Sequence, residues 1–253
     1  MKKANLTLVG TGIQFLSHIT IEAESNIKQA EKLLYLVNNP VLSTWLQQAN
    51  PQHESLEDLY FSDPDRQTAY QAITDRILHV LTDTQHVCVA FYGHPCIYAR
   101  SGLDAVKKAK MQGHNVKILP AISAQDCLYA DLCIDPGSHG CLSYDASDFL
   151  FRDKLICNAS HLILWQINAT GILDHQVHAN PKALALLQAK LLQHYPPMHP
   201  VIIYEAAQLP GFSAIVLETT MQDFPYIKLN DRSTMYVPPQ QIAPLNQNLF
   251  QSL

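Results

Sequence analysis

The chain has 253 residues, 47% of them hydrophobic and 15% charged, enough for two ordinary domains with buried cores and too apolar for extensive disorder. A formal net charge of -5, with no lysine or arginine block, lacks the basic footprint that binding to nucleic acid requires. The opening MKKANLTLVGTG reaches glycine after a short apolar run, so it reads as neither signal peptide nor membrane anchor, and the expected location is cytoplasmic.

In chain order, NLTLVGTG predicts a strand ending in a tight turn, ITIEAESNIKQA a helix, and KLLYLV a short buried strand that Asn39 and Pro40 terminate. In DRQTAYQAITDRILHVL the spacing of Ala69, Ile73, Ile77, Val80 and Leu81 predicts an amphipathic helix, with Asp63 or Asp65 as its cap. HVCVAFYG is almost continuously apolar, as a central strand of a parallel sheet must be. A helix over 101–112 and the strand NVKILPA complete a βαβ progression, whose right-handed crossovers gather the loops after the strands on one sheet edge. From Ser123 to about Ile156 the pattern weakens to a short helix, AQDCLYADLC, and a mixed strand and loop, GCLSYDASDFLF. HLILWQI, PVIIYEAA, SAIVLETTM and STMYVPP then read as strands, and PKALALLQAKLLQHY as a helix with proline in its first turn. The prediction is α/β with two lobes, 1–122 and 123–253.

Cys88, Cys96, Cys127, Cys133, Cys141 and Cys157 form no CxxC pair and read as reduced core thiols. His175 and His178 have ligand-like spacing but only Asp174 beside them, so no metal is expected. Gly10 and Gly12 follow the first strand, where the lack of a Cβ permits a strained turn or close approach to a ligand. They make half a dinucleotide fingerprint: Phe15 stands where the third glycine belongs, and Asn38 and Asn39 where a ribose-binding acid belongs, which argues against a nicotinamide or flavin.

Four segments, LTLVGTGI, FYGHPCIYA, LPAISAQDCLYADLCIDP and GCLSYDASDFLFRD, together resemble the tetrapyrrole methylase superfamily and, within it, the borosin peptide backbone α-N-methyltransferases. FYGHP marks the borosin branch more than the vitamin B12 branch. The resemblance implies a homodimer whose two α/β lobes hold S-adenosylmethionine in the cleft between them and release S-adenosylhomocysteine. Mapped position by position, it puts cofactor contacts at Tyr92, His94, Ile97, Ala99, Ser123 and Ala124, then at Gln166, Tyr204, Ala206, Ser233 and Thr234, beside the candidate glycines Gly10 and Gly12. Small side chains and backbone follow the cofactor's outline, while hydroxyls and an amide satisfy its polar atoms. Tyr98 reads as a packing residue.

Arg66 and Tyr70 are four apart on the predicted helix and share a face, with Tyr60 just before it. The resemblance makes these three the catalytic group, and a guanidinium beside a phenol favours phenolate, which points to Tyr70 as the base. A further family tyrosine is unmatched, Glu57 occupying its place. Many borosin enzymes carry their substrate as a C-terminal extension; QIAPLNQNLFQSL, at the end here, has no core-peptide repeat. The expectation is a precursor on a separate chain, two bound per enzyme dimer. A methyltransferase for a corrin-like small molecule is the alternative enzyme, and a catalytically silent precursor-binding protein the non-enzymatic one.

Overall fold

The computed structural model describes residues 3–172 and 179–252, so His175 and His178 lie outside the described residues. The chain divides into two compact units. The first runs to Cys127 and takes in Ala207–Ser213; the second comprises Leu128–Ile172 and most of the chain beyond 179.

The first unit is built from β1 (Asn5–Gly10), α1 (Ile21–Gln29), β2 (Lys32–Leu36), α2 (Pro40–Ala49), β3 (His53–Ser55), α3 (Glu57–Tyr60), α4 (Arg66–Asp83), β4 (His86–Phe91), α5 (Arg100–Met111) and β5 (Asn115–Leu119). Its strands form one sheet in the order β3-β2-β4-β1-β5, every pair parallel, with β4 at the centre as its apolar run predicts. Alternation along each strand sorts the core into two layers. Leu6, Leu8, Leu34, Val89 and Phe91 pack with Ile73 and Ile77 of α4 and Ala105 and Val106 of α5. Val9, Leu33, Tyr35, Cys88 and Ala90 pack with Ile27 of α1 and Leu42 and Leu46 of α2.

All five apolar positions expected to face inward from α4 are buried, and Asp65 is its cap, accepting from Thr68 N at 2.9 Å. The sequence reading stops a strand at Asn39-Pro40 but misses the helix that starts there. Asn39 Oδ1 accepts from Val41 N and Leu42 N at 3.0 and 3.1 Å, and Pro40 takes the first turn, where its missing N–H costs nothing.

After α6 (Ala124–Asp131) and α7 (Pro136–His139), the second unit carries β6 (Cys141–Asp145), α8 (Ala146–Phe151), β7 (His161–Trp165), α9 (Pro181–Leu191), β8 (Pro200–Glu205), β9 (Ile215–Thr220), β10 (Thr234–Val237) and α10 (Gln247–Gln251). This sheet is mixed, in the order β6-β7-β10-β8-β9: β6 is parallel to β7, and β10 runs antiparallel to both its neighbours. Leu184, Leu187 and Leu191 of α9 and Phe149 of α8 bury against Leu162, Leu164, Val201, Ile203 and Met235. The segment expected as mixed strand and loop is a strand followed by α8, because Asp145 turns the chain into a helix by capping Asp148 N at 2.9 Å. None of the six cysteines is in a disulfide, as expected, yet only Cys88 is a core residue; Cys96 and Cys133 are exposed, correcting the picture of core thiols. Among the described residues no helix is long and apolar enough to cross a membrane.

Candidate active site

Parallel strands place the loops after β1, β4 and β5 on one edge of the first sheet, and most residues singled out in this unit lie there. The loops after β1 and β4 are joined in both directions: Gly12 N donates to Gly93 O at 3.2 Å and Gly93 N to Gly12 O at 3.0 Å. A Cβ on Gly10 would stand 2.2 Å from Gly93 O, and one on Gly12, whose φ is 70°, would stand 2.1 Å from His18 Cβ. Protein atoms therefore fill the space that each glycine opens. The glycine requirement is explained by the turn itself, without a ligand.

In FYGHP, Tyr92 Oη accepts from Gln208 Nε2 at 3.2 Å and its N donates to Leu36 O, while His94 Nδ1 accepts from Cys96 N at 3.1 Å. Pro95 is buried, Ile97 is exposed, and Ala99 is buried at the start of α5. Tyr98 is no packing residue: it is 48% exposed, with a left-handed φ of 54°. Ser123 is buried, and its Oγ donates to Asp126 Oδ2 at 2.7 Å while its N donates to the same oxygen, closing the head of α6 where Ala124 sits.

The second group of residues stands between α3 and α4. Tyr60 ends α3, Arg66 opens α4, and Tyr70 follows one turn later. The two tyrosine rings lie 6.1 Å apart at 31°. Burial raises the Tyr70 phenol above its ordinary pKa of 10.0; Tyr60 adds to the rise, and the charges of Arg66 and Arg100 oppose it. Arg66 thus acts in the expected direction, but desolvation outweighs it, so the resting group is the phenol. Arg66 Nε is buried without a hydrogen-bond partner among the described residues.

Two contacts fix this helix. Arg76 binds Glu54 of β3 through two bonds of 2.6 and 2.7 Å, and Thr74 Oγ1 reaches both Tyr70 O and Ser101 O, at 2.9 and 3.0 Å. The second contact ties the turn carrying Tyr70 to the first turn of α5, where Arg100 is found. Sequence reasoning missed Arg100; its signal is a cation at a helix start, where the backbone dipole disfavours one. Glu57, at the unmatched family position, opens α3, and burial raises its carboxyl pKa.

The third group belongs to the second unit. Met235 lies opposite Leu164, and Thr234 opposite Tyr204. Ser233 lies just before β10, and Ile167 N donates to Ser233 O at 3.3 Å. Gln166 has a left-handed φ of 55°, which ends β7 abruptly. Tyr204 Oη donates to Asp131 Oδ2 at 2.6 Å, Thr234 is buried, and Ala206 follows β8, half-buried. Ser233 Oγ accepts from Asn230 N and donates to Glu205 Oε1, which also accepts from Asn230 Nδ2 at 2.6 Å. The Ser233 hydroxyl is thus occupied by protein. Glu205 was missed by sequence reasoning, although a glutamate closing the apolar run VIIY is itself a signal. Among the described residues, no cluster of His, Cys, Asp or Glu is arranged to hold a metal ion.

The family model of the tetrapyrrole (corrin/porphyrin) methylases matches residues 5–225. The methyltransferase/ribosomally synthesized cyclic peptide lentinulin A precursor of Lentinula edodes is 34% identical over 258 residues, a match covering 100% of this chain and 62% of the relative. A methyltransferase/ribosomally synthesized type I borosin cyclic peptide precursor of Serendipita vermifera subsp. bescii is also 34% identical, over 259 residues, covering 100% of this chain and 63% of its own length. The chain thus spans about three fifths of the curated relatives it matches. Among solved structures, uroporphyrin-III-C-methyltransferase from Thermus thermophilus superposes with a TM-score of 0.66 over 98% of this chain and 100% of that one, at 18% identity, a likeness of fold alone.

Proposed function

The chain belongs to the tetrapyrrole (corrin/porphyrin) methylase family, and from that premise we propose that it is a borosin-type methyltransferase acting on backbone amide nitrogens of a ribosomally made peptide. The observation that carries the reading is the group at the head of α4: two phenols with rings 6.1 Å apart beside a guanidinium with one buried, unspent donor. The full-length relatives named as methyltransferase and cyclic peptide precursor support it.

The residues present fit S-adenosylmethionine. Glu205 Oε2 is a buried acceptor without a partner among the described residues, suited to a cationic ligand, and Ala99 and Ala206 offer small side chains beside backbone. In this reading Tyr92, His94, Ile97, Ala99, Ser123 and Ala124 in the first unit, and Gln166, Tyr204, Ala206, Ser233 and Thr234 in the second, are cofactor contacts. The cofactor, when bound, supplies a methyl group on a positively charged sulfur and leaves as S-adenosylhomocysteine.

The chain's own task is the amide. Its nitrogen lone pair is delocalised into the carbonyl, so it attacks poorly until the proton leaves. Tyr70 Oη, ionised, takes that proton as the nitrogen gains the methyl group. Arg66 Nε–H donates to the substrate carbonyl oxygen, where negative charge collects, and lowers the cost of forming the phenolate nearby. Tyr60 packs its ring beside that of Tyr70. Burial lets these donors act without competition from water.

The proposal extends to assembly: a homodimer that receives its peptide from separate precursor chains, one per protomer. The test incubates the protein with labelled S-adenosylmethionine and candidate precursor peptides and reads mass. Methyl gains located by fragmentation on backbone nitrogens support the reading. Gains on a tetrapyrrole instead overturn the substrate, and gains on neither leave a binding role.

A further inference from the structure

A buried carboxylate in the second unit stands apart from the family-mapped contacts yet lies in their midst. Glu205 is 6% exposed, makes no ion pair among the described residues, and is held through one oxygen only. Asn230 Nδ2 and Ser233 Oγ both donate to Oε1, at 2.6 and 2.8 Å, which pins the carboxylate plane and leaves Oε2 as the buried oxygen without a donor. Taking a carboxylate out of water is costly unless a cation or a full set of donors replaces the solvent. Three positions proposed as cofactor contacts surround it: Tyr204 and Ala206 flank it in the chain, and the Ser233 hydroxyl donates to it.

We infer that Glu205 is a further cofactor-binding residue, whose Oε2 accepts from the α-ammonium of the methionine moiety of S-adenosylmethionine. The inference rests on the methyltransferase reading above. An ammonium supplies both the missing donor and the missing positive charge, whereas a ribose hydroxyl supplies the donor alone. Asn230 and Ser233 act through Glu205 as positioning residues, holding the acceptor before the ligand arrives.

Calorimetric titration of three ligands separates this from other roles. S-adenosylhomocysteine carries the ammonium without the sulfonium, S-adenosylmethionine carries both, and 5′-methylthioadenosine carries neither. Glu205→Gln, which preserves shape and removes the charge, is expected to weaken the first two alike, by about ten- to a hundredfold. Binding of 5′-methylthioadenosine and the melting temperature should stay unchanged. Glu205→Asp, a second variant, should recover part of the loss, since it restores the charge at a shorter reach. Equal weakening of all three ligands assigns Glu205 to the nucleoside or to the fold and overturns the inference, as does loss confined to S-adenosylmethionine, which points to the sulfonium. Unaltered binding by Glu205→Gln sinks the inference and leaves the proposed function standing; a wild-type protein that binds neither S-adenosyl compound sinks both.

Discussion

The head of α4 and the group around Ser233 each present one buried polar atom without a partner, but they hold it differently. Arg66 Nε belongs to a long side chain with no ion pair among the described residues, set beside two phenols. Glu205 Oε2 belongs to a short side chain whose other oxygen is fixed by two donors. The first arrangement can follow a group whose charge changes during a reaction. The second is set before anything binds, which suits recognition. A proposed division of labour follows, with chemistry at α4 and recognition at the edge of the second sheet.

The largest effect expected to sharpen this contrast is Tyr70→Phe. It should cut methyl transfer by about a hundredfold or more while leaving S-adenosylhomocysteine affinity within about twofold, read by mass spectrometry and calorimetry. The phenol's raised pKa also sets the sign of the pH response. Since the active form is the phenolate, turnover should climb as pH rises into the alkaline range, and Tyr70→Phe should flatten that climb. A Tyr70→Phe protein that loses cofactor affinity as severely as rate would break the contrast.

Next in size is Gly10→Ala. Its Cβ would meet Gly93 O, a backbone atom that cannot step aside, and the expected cost is about 3 kcal/mol in a denaturant melt. Were the glycine instead required by a ligand, stability would hold and only affinity would fall. Ser233→Ala should lower S-adenosylhomocysteine affinity by about tenfold with turnover of the saturated enzyme little changed, because it frees the carboxylate without touching α4.

The smallest effect concerns Glu54. Arg76 holds its carboxyl down to about 2 from an ordinary 4.5, so the pair's stabilisation is complete above the ordinary value and is lost as pH falls toward 2. Glu54→Gln should cost about 1 kcal/mol near neutrality, both groups being partly exposed, and should remove that stretch of acid sensitivity from the melting curve.

Much of the fold was legible because periodicity records burial. The nearly unbroken apolar run of β4 and the three-four spacing of α4 each predict an element that exists with those residues inside. What escaped were elements too short or polar for a pattern: α2 hides behind the strand-breaking pair Asn39-Pro40, and β3 has three residues, none buried. At the candidate site, Arg66 and Tyr70 could be paired by helical spacing, since that pairing is local. Glu205 with Asn230, and Arg100 with Tyr70, could not, because a strand register and a helix-helix contact join them across the chain. Desolvation is equally invisible in a string of letters, which is why the effect of Arg66 on its neighbour was overrated.

The excursion of Ala207–Ser213 into the first unit limits how the protein can be engineered. Phe15 N donates to Gln208 O at 2.9 Å, and Gln208 Nε2 donates to Tyr92. A fragment cut after Cys127 would leave Tyr92 without that support, and a chimera exchanging C-terminal halves between homologues would import a foreign residue against it. Domain shuffling here must carry a seven-residue patch, Ala207–Ser213, along with the half from which it is remote in sequence.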